Sequence, residues 1–221
     1  MELISAFAVP IGKAKFKGVD ELNNNLKALF LNAERHSDKF ANKNRNSLRQ
    51  REVFESHFEL FNWDKPEIYQ LKKLCMTQLI SFVTQLSKIP LDEAKSWNYE
   101  VDAWFHITRN GGYFTTHNHP NASWSAVYCV SSGDNPPNKP ESGVLRMIDF
   151  KANAAMYIDA ANIKLQPPFG IGNMVFKLTA GDFIIFPSYL LHEVAPYWGE
   201  TERITVAMNC WFKDPKTNYP G

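Results

Sequence analysis

AGDFIIFPSYLLHEVAPYWGETERITVAMNCWF, residues 180–212, opens on a Gly-Asp turn, runs as an apolar strand through Phe183 to Phe186 and presents His192 after a Pro-Ser corner. Arg203, Ile204 and Thr205 follow in a second strand-like run. Successive side chains of a strand point to opposite faces, so Arg203 and Thr205 share one. A guanidinium binds a carboxylate bidentately, and a neighbouring hydroxyl adds a further hydrogen bond. The stretch HNHPNASWSAVYCV, residues 117–130, answers it from earlier in the chain. By the same alternation His117 and His119 project to one side and Asn118 to the other. Two imidazoles there and a third, His192, from a distant strand can converge on one metal ion.

Outward from these stretches, the chain beyond Trp97 reads as short apolar runs at residues 99–108, 114–119, 123–130, 144–148, 175–178, 183–186 and 204–212, separated by Gly, Pro and Asn. Many short strands with such punctuation predict a sandwich or jelly roll. The connections SSGDNPPNKPES (131–142) and DAANIKLQPPFGIGN (159–173) are too long for tight hairpins, and loops of that kind often cover an active-site mouth. Upstream, residues 3–16 alternate loosely around Pro10 and Gly12, as an edge strand would. Residues 19–35 carry Leu22, Leu26, Leu29, Phe30 and Leu31 at amphipathic spacing, with Asp20 near the helix N-terminus. Residues 36–65 are polar and irregular. Pro66 then begins a helix whose stripe is Ile68, Leu71, Leu74, Cys75, Leu79, Phe82 and Leu86. The expected class is mainly β with N-terminal helices (α+β). It forms one domain over 1–221, with a strand and helical flank at 1–96 and a jelly-roll catalytic core at 97–213.

A net charge of +1 over 221 residues argues against an electrostatic nucleic-acid footprint. The richest basic stretch, KFANKNRNSLRQR (39–51), reads as a solvated loop or helix end. Cys75, Cys129 and Cys210 make an odd set with no CxxC pair, which fits reduced thiols in a cytoplasmic protein. No apolar run approaches membrane-span length, and the opening MELISAFAVPIGKAKF is not a signal peptide. The expected partner is a small-molecule or amino-acid substrate, with no nucleic acid and no membrane; a homodimer is compatible with the sequence.

The two site segments resemble the non-haem Fe(II)/2-oxoglutarate-dependent oxygenases, and more closely a bacterial and phage branch with an HxHPN motif followed much later by FPSxLxH and RxT. The resemblance covers residues 100–212 and implies a cupin-like jelly roll, the double-stranded β-helix. It also implies Fe(II), 2-oxoglutarate and O2, and hydroxylation with release of succinate and CO2. Residue by residue, His117 corresponds to the first metal ligand, His192 to the distal ligand, and Arg203 with Thr205 to the clamp on the far carboxylate of 2-oxoglutarate. The superfamily usually places Asp or Glu at position 119. His119 there gives a three-histidine site, one unit more positive than a site with a carboxylate; Asp149, in GVLRMIDF, is the nearest acidic alternative.

Each candidate has a plainer reading. His36 and His57 read as exposed or structural, and the letters HNH are no nuclease motif, which needs separated residues. His106 and Tyr113 are candidates for the cosubstrate pocket, although His106 could simply pack. Arg203 could instead pair with Glu200 or Glu202 at the surface. Asn121, Trp124, Tyr128 and Arg146 are candidate substrate contacts, and alternation leaves open whether Trp124 or Ser125 looks inward. Two rivals remain: a three-histidine cupin-like dioxygenase or lyase without 2-oxoglutarate, and a non-catalytic jelly-roll binding module.

Overall fold

A computed structural model describes residues 1–44, 52–134, 136–153, 157–213 and 215. The chain order is β1 (Gly12–Lys15), α1 (Asp20–Arg35), α2 (Ser37–Phe40), β2 (Val53–Glu55), α3 (Pro66–Ser87), α4 (Leu91–Lys95), β3 (Asn98–Thr108) and β4 (Phe114–His117). It continues through β5 (Trp124–Ser131), β6 (Leu145–Met147), β7 (Met174–Phe176), β8 (Asp182–Pro187), β9 (His192–Val194) and β10 (Arg203–Lys213). The strands form a six-stranded sheet, β1-β8-β5-β10-β3-β2, and a four-stranded sheet, β4-β9-β6-β7. All pairings within both sheets are antiparallel. Together they make the double-stranded β-helix expected from the sequence.

Alternation along the long strands gives the large sheet two different faces. Ile204, Val206, Met208 and Cys210 of β10 join Ala103, Phe105 and Ile107 of β3 in a core closed from outside by α1 and α3. Each buried Leu, Ile or Phe there contributes about 1.5–3 kcal/mol. α3 starts at Pro66, where a missing N–H costs nothing, and buries Ile68, Leu71, Cys75, Met76, Leu79 and Val83. Leu86, read as part of that stripe, is exposed, beyond Val83, the last buried residue of the helix. The other face of the large sheet looks toward the small sheet. Cys129, Ile184 and Phe186 from one meet Leu145 and Met147 from the other.

Some expectations need correction. Of residues 3–16, only Gly12–Lys15 pair, at the sheet edge beside β8. Leu3, Ile4 and Phe7 are exposed, and the pairing begins only after Pro10, which lacks a ladder donor. A Cβ at Gly12 would lie 2.9 Å from the Phe82 ring, so the strand starts where it can press on α3. The segment read as polar and irregular contains β2, which extends the large sheet by pairing with β3. The run read as 114–119 stops at His117, and β9 was not read as a strand because HEV offers no apolar run. The basic stretch 39–51 lies outside the described residues from 45 onward. Among the described residues no helix is long and apolar enough to cross a membrane.

Candidate metal centre

Between the two sheets lies a cavity of about 530 Å³. Its floor is the inner face of β10, where Arg203, Thr205, Ala207 and Asn209 follow at every second position. Asp102, Trp104 and His106 of β3 and Ser125 and Val127 of β5 extend it sideways.

His117 ends β4 and pairs directly with His192, the first residue of β9, which brings the two ring centroids within 4.3 Å. His119 lies two residues past the strand end. Its backbone N–H donates to the Ser188 carbonyl (2.9 Å), and its ring lies 5.3 Å from that of His117 and 5.1 Å from that of His192. One nitrogen from each of the three falls within 4.8 Å of the others, the one such group found among the described residues. Asp149 is elsewhere: its carboxylate accepts the backbone N–H groups of Lys151 and Gly172, both at 2.9 Å.

All three rings have Nδ1 beside an oxygen that can only accept. The partners are the Thr115 carbonyl for His117 (2.7 Å), the Leu190 carbonyl for His192 (2.9 Å) and Asn209 Oδ1 for His119 (2.6 Å). Each Nδ1 therefore carries the proton and donates, which leaves each Nε2 lone pair free. Burial pushes the pKa of His192 down to about 3 and that of His119 to about 4, with the like charges of neighbouring imidazoles acting the same way. At neutral pH these two rings are uncharged, the state a metal requires of its ligands. Three imidazole donors suit Fe, Zn, Cu or Ni, so the donor set fits an iron site.

Arg203 opens β10 and is 4% exposed. Its guanidinium makes no hydrogen bond or ion pair with any described residue. Burial lowers its pKa, against the opposing pull of Cys129 and Tyr197. The surface-pair alternative does not hold: Glu202 pairs with Lys27 (3.4 Å) and Arg109 (3.8 Å) instead. Gly143, at φ 62°, passes so close that a Cβ there would lie 2.9 Å from Arg203 Cδ and 3.1 Å from the Tyr197 ring. Thr205, also buried, sits opposite His106 on the neighbouring strand. His106 Nε2 lies 3.2 Å from Glu55 Oε2 and 3.1 Å from Trp104 Nε1. A buried cation without an internal counterion costs several kcal/mol, so this guanidinium is built to meet an anion.

The cavity thus gathers His106, His117, His119, Asn121, His192, Arg203 and Thr205. Four other expected site residues lie elsewhere. Tyr113 is outside the cavity lining, because alternation turns Phe114 inward in its stead. Trp124 faces the helices and meets Phe82 edge-on at 5.5 Å, leaving Ser125 as the inward residue. Tyr128 is fully buried on that same outer face, its hydroxyl donating to Asn23 Oδ1 (2.6 Å). Arg146 is engaged by Glu141 (2.7 Å) and Glu193 (3.1 Å). Sequence reading missed Asn209, Gly143 and Glu55. Asn209 could have been found by carrying the Arg203–Thr205 face two more steps along the strand.

Residues 102–209 match the family described as "Putative 2OG-Fe(II) oxygenase". No curated protein matches the sequence. Among solved structures the chain is similar to a Pseudomonas putida prolyl-4-hydroxylase, with TM-score 0.61, 16% identity, 93% of this chain and 92% of that one covered. It is also similar to a Trichoplax adhaerens prolyl hydroxylase in complex with a hypoxia inducible factor peptide fragment (TM-score 0.59, 14% identity, 93% and 84% covered). A third is HygX from Streptomyces hygroscopicus, with nickel and 2-oxoglutarate bound (TM-score 0.55, 8% identity, 92% and 83% covered). At these identities the structural likenesses speak for the fold, and the family match covers the segment that carries the three histidines and Arg203. Residues 102–209 of the chain thus match the 2OG-Fe(II) oxygenases, a family of enzymes that use Fe(II), 2-oxoglutarate and O2.

Proposed function

We propose that His117, His119 and His192 hold Fe(II) through their Nε2 atoms, that Arg203 and Thr205 hold the far carboxylate of 2-oxoglutarate, and that the chain hydroxylates a small molecule or an amino-acid side chain with release of succinate and CO2. The observation that carries this reading is the buried, internally unpaired guanidinium in the same cavity as three converging imidazoles. When bound, iron supplies the activation of O2 that the side chains cannot. The protein's own work is orientation. Arg203 fixes one end of the cosubstrate by charge, Thr205 adds a hydroxyl, and the apolar inner walls at Val127, Leu145, Phe186 and Val194 exclude water from the far side. Phe58, Trp104, Asn121 and Trp211 line the cavity too, with Trp211 Nε1 donating to the Asn121 carbonyl, and are the proposed substrate contacts. Relatives that carry a peptide fragment or hygromycin B support a substrate of peptide or small-molecule size. In this reading the flank 1–96 and the core 97–213 act as one domain.

Protein loaded anaerobically with Fe(II), then given 2-oxoglutarate and O2, should form succinate, and His192→Ala should not. Three histidines without a carboxylate favour one rival, a dioxygenase or lyase that binds substrate directly; O2 uptake without succinate would select it. Iron binding without O2 uptake across a broad substrate panel would select a binding module.

A further inference from the structure

The three imidazoles are not held in the same way. His117 and His192 donate from Nδ1 to the backbone carbonyl two residues behind them, at Thr115 and Leu190, so their orientation is written into their own local segments. His119 lies beyond the end of β4. Its Nδ1 acceptor is a side chain on another strand, Asn209 Oδ1 at 2.6 Å. That oxygen also accepts from Ser125 Oγ (2.8 Å), which lies 2.8 Å from Ser188 Oγ. Ser125 and Ser188 are both buried, and the Ser188 carbonyl takes the backbone N–H of His119. Trp104 stacks on the His119 ring, with centroids 5.7 Å apart and planes at 27°.

Resting on the metal assignment above, we infer that Asn209 is a positioning residue that locks His119 in its Nε2-ligating tautomer at the position where the superfamily usually has a carboxylate ligand. Two donors converge on Oδ1, so the amide is held in one orientation. Turned the other way, Nδ2–H would face His119 Nδ1, draw its lone pair and send the proton to Nε2, where it would block the metal. A carboxylate ligand would need no such partner. A histidine at the loose end of a strand does, because a free imidazole exchanges tautomers and rotates.

The test compares Asn209→Leu, which removes the acceptor at similar volume, with Asn209→Asp, which keeps an acceptor oxygen in place. Metal-free protein is titrated with Co(II), whose visible absorption reports coordination, and apo thermal midpoints are recorded alongside. Leu should weaken Co(II) binding roughly 10- to 100-fold, while Asp restores most of the affinity. A purely structural role would lower the midpoint and leave the affinity ratio between Leu and Asp near one. Equal affinity in Leu and wild type, or equal losses in Leu and Asp, would overturn the inference. Independently of metal, long-range ¹H–¹⁵N spectra of the wild-type apo protein above pH 6.5 should find the His119 proton on Nδ1; a proton on Nε2 would overturn the lock. Wild type that fails to bind Co(II) while keeping the Nδ1 tautomer would refute the metal assignment, and with it this role, while the hydrogen bond stands.

Discussion

Replacing Arg203 with alanine isolates the cosubstrate clamp from the metal. The guanidinium is almost fully buried and has no partner among the described residues, so the substitution orphans no protein group; relief of the buried charge opposes the packing lost with its stem, and the unfolding midpoint should not fall far. Its effect should fall on the ligand. Without Arg203, the far carboxylate of 2-oxoglutarate is desolvated in the cavity with only Thr205 left to meet it. Truncating one side of a buried charge pair costs about 2–5 kcal/mol. That is a loss of affinity from about thirty-fold upward. Anaerobic calorimetric titration of the Fe(II)-loaded protein with 2-oxoglutarate measures it directly, and a parallel Fe(II) titration should give the same affinity for both proteins. Arg203→Lys should recover only part of the loss, because a point charge cannot reproduce the planar fork. Matching 2-oxoglutarate titrations for wild type and Arg203→Ala would refute the clamp and shift the assignment to a three-histidine dioxygenase.

Three further outcomes follow from the same geometry. His119→Asp restores the ligand type usual in the superfamily and needs no Nδ1 acceptor, so it should keep one metal per chain in an Fe(II) titration, whereas His192→Ala should lose it; complete loss in His119→Asp would mean that position 119 faces elsewhere. Gly143→Ala puts a Cβ 2.9 Å from Arg203 Cδ on a backbone at φ 62°. By displacing the guanidinium it should weaken 2-oxoglutarate binding roughly ten- to hundred-fold, with Fe(II) affinity unchanged, and a wild-type 2-oxoglutarate titration would contradict this. In pH dependence, His119 and His192 titrate near 6.5 when unfolded but at about 4 and about 3 when folded. Below pH 6.5 the unfolded chain therefore binds more protons, and the apo protein should lose up to about 1.4 kcal/mol per pH unit for each ring as pH falls toward 4. Urea midpoints that stay flat from pH 7 to 5 would argue against burial of neutral rings.

The strands that became β3, β5, β8 and β10 were legible, because each is long enough to show as an alternating or continuous apolar run. His117, His119, His192 and Arg203 stood out because polar groups inside apolar strands need a reason. β2 (VFE) and β9 (HEV) mix charged or polar residues with few apolar ones, so no apolar run announced them as one did the equally short β6 and β7. Alternation also says that a strand has two faces without saying which is which. Trp124, Tyr128 and Ser125 could be sorted only once α1 and α3 had covered one side of the sheet, turning Tyr128 to Asn23 and Ser125 to the cavity. The same holds for the distant pairings. Asn209 reaches His119 across 90 positions, and Gly143 admits the Arg203 stem across another turn of chain. The local sequence determined the donor types and their spacing along each strand, because those follow from covalent geometry. Only the tertiary fold decided which oxygen the His119 imidazole meets and that the guanidinium is left without an internal partner, because both depend on contacts between segments whose separation in the chain carries no record of their nearness in space.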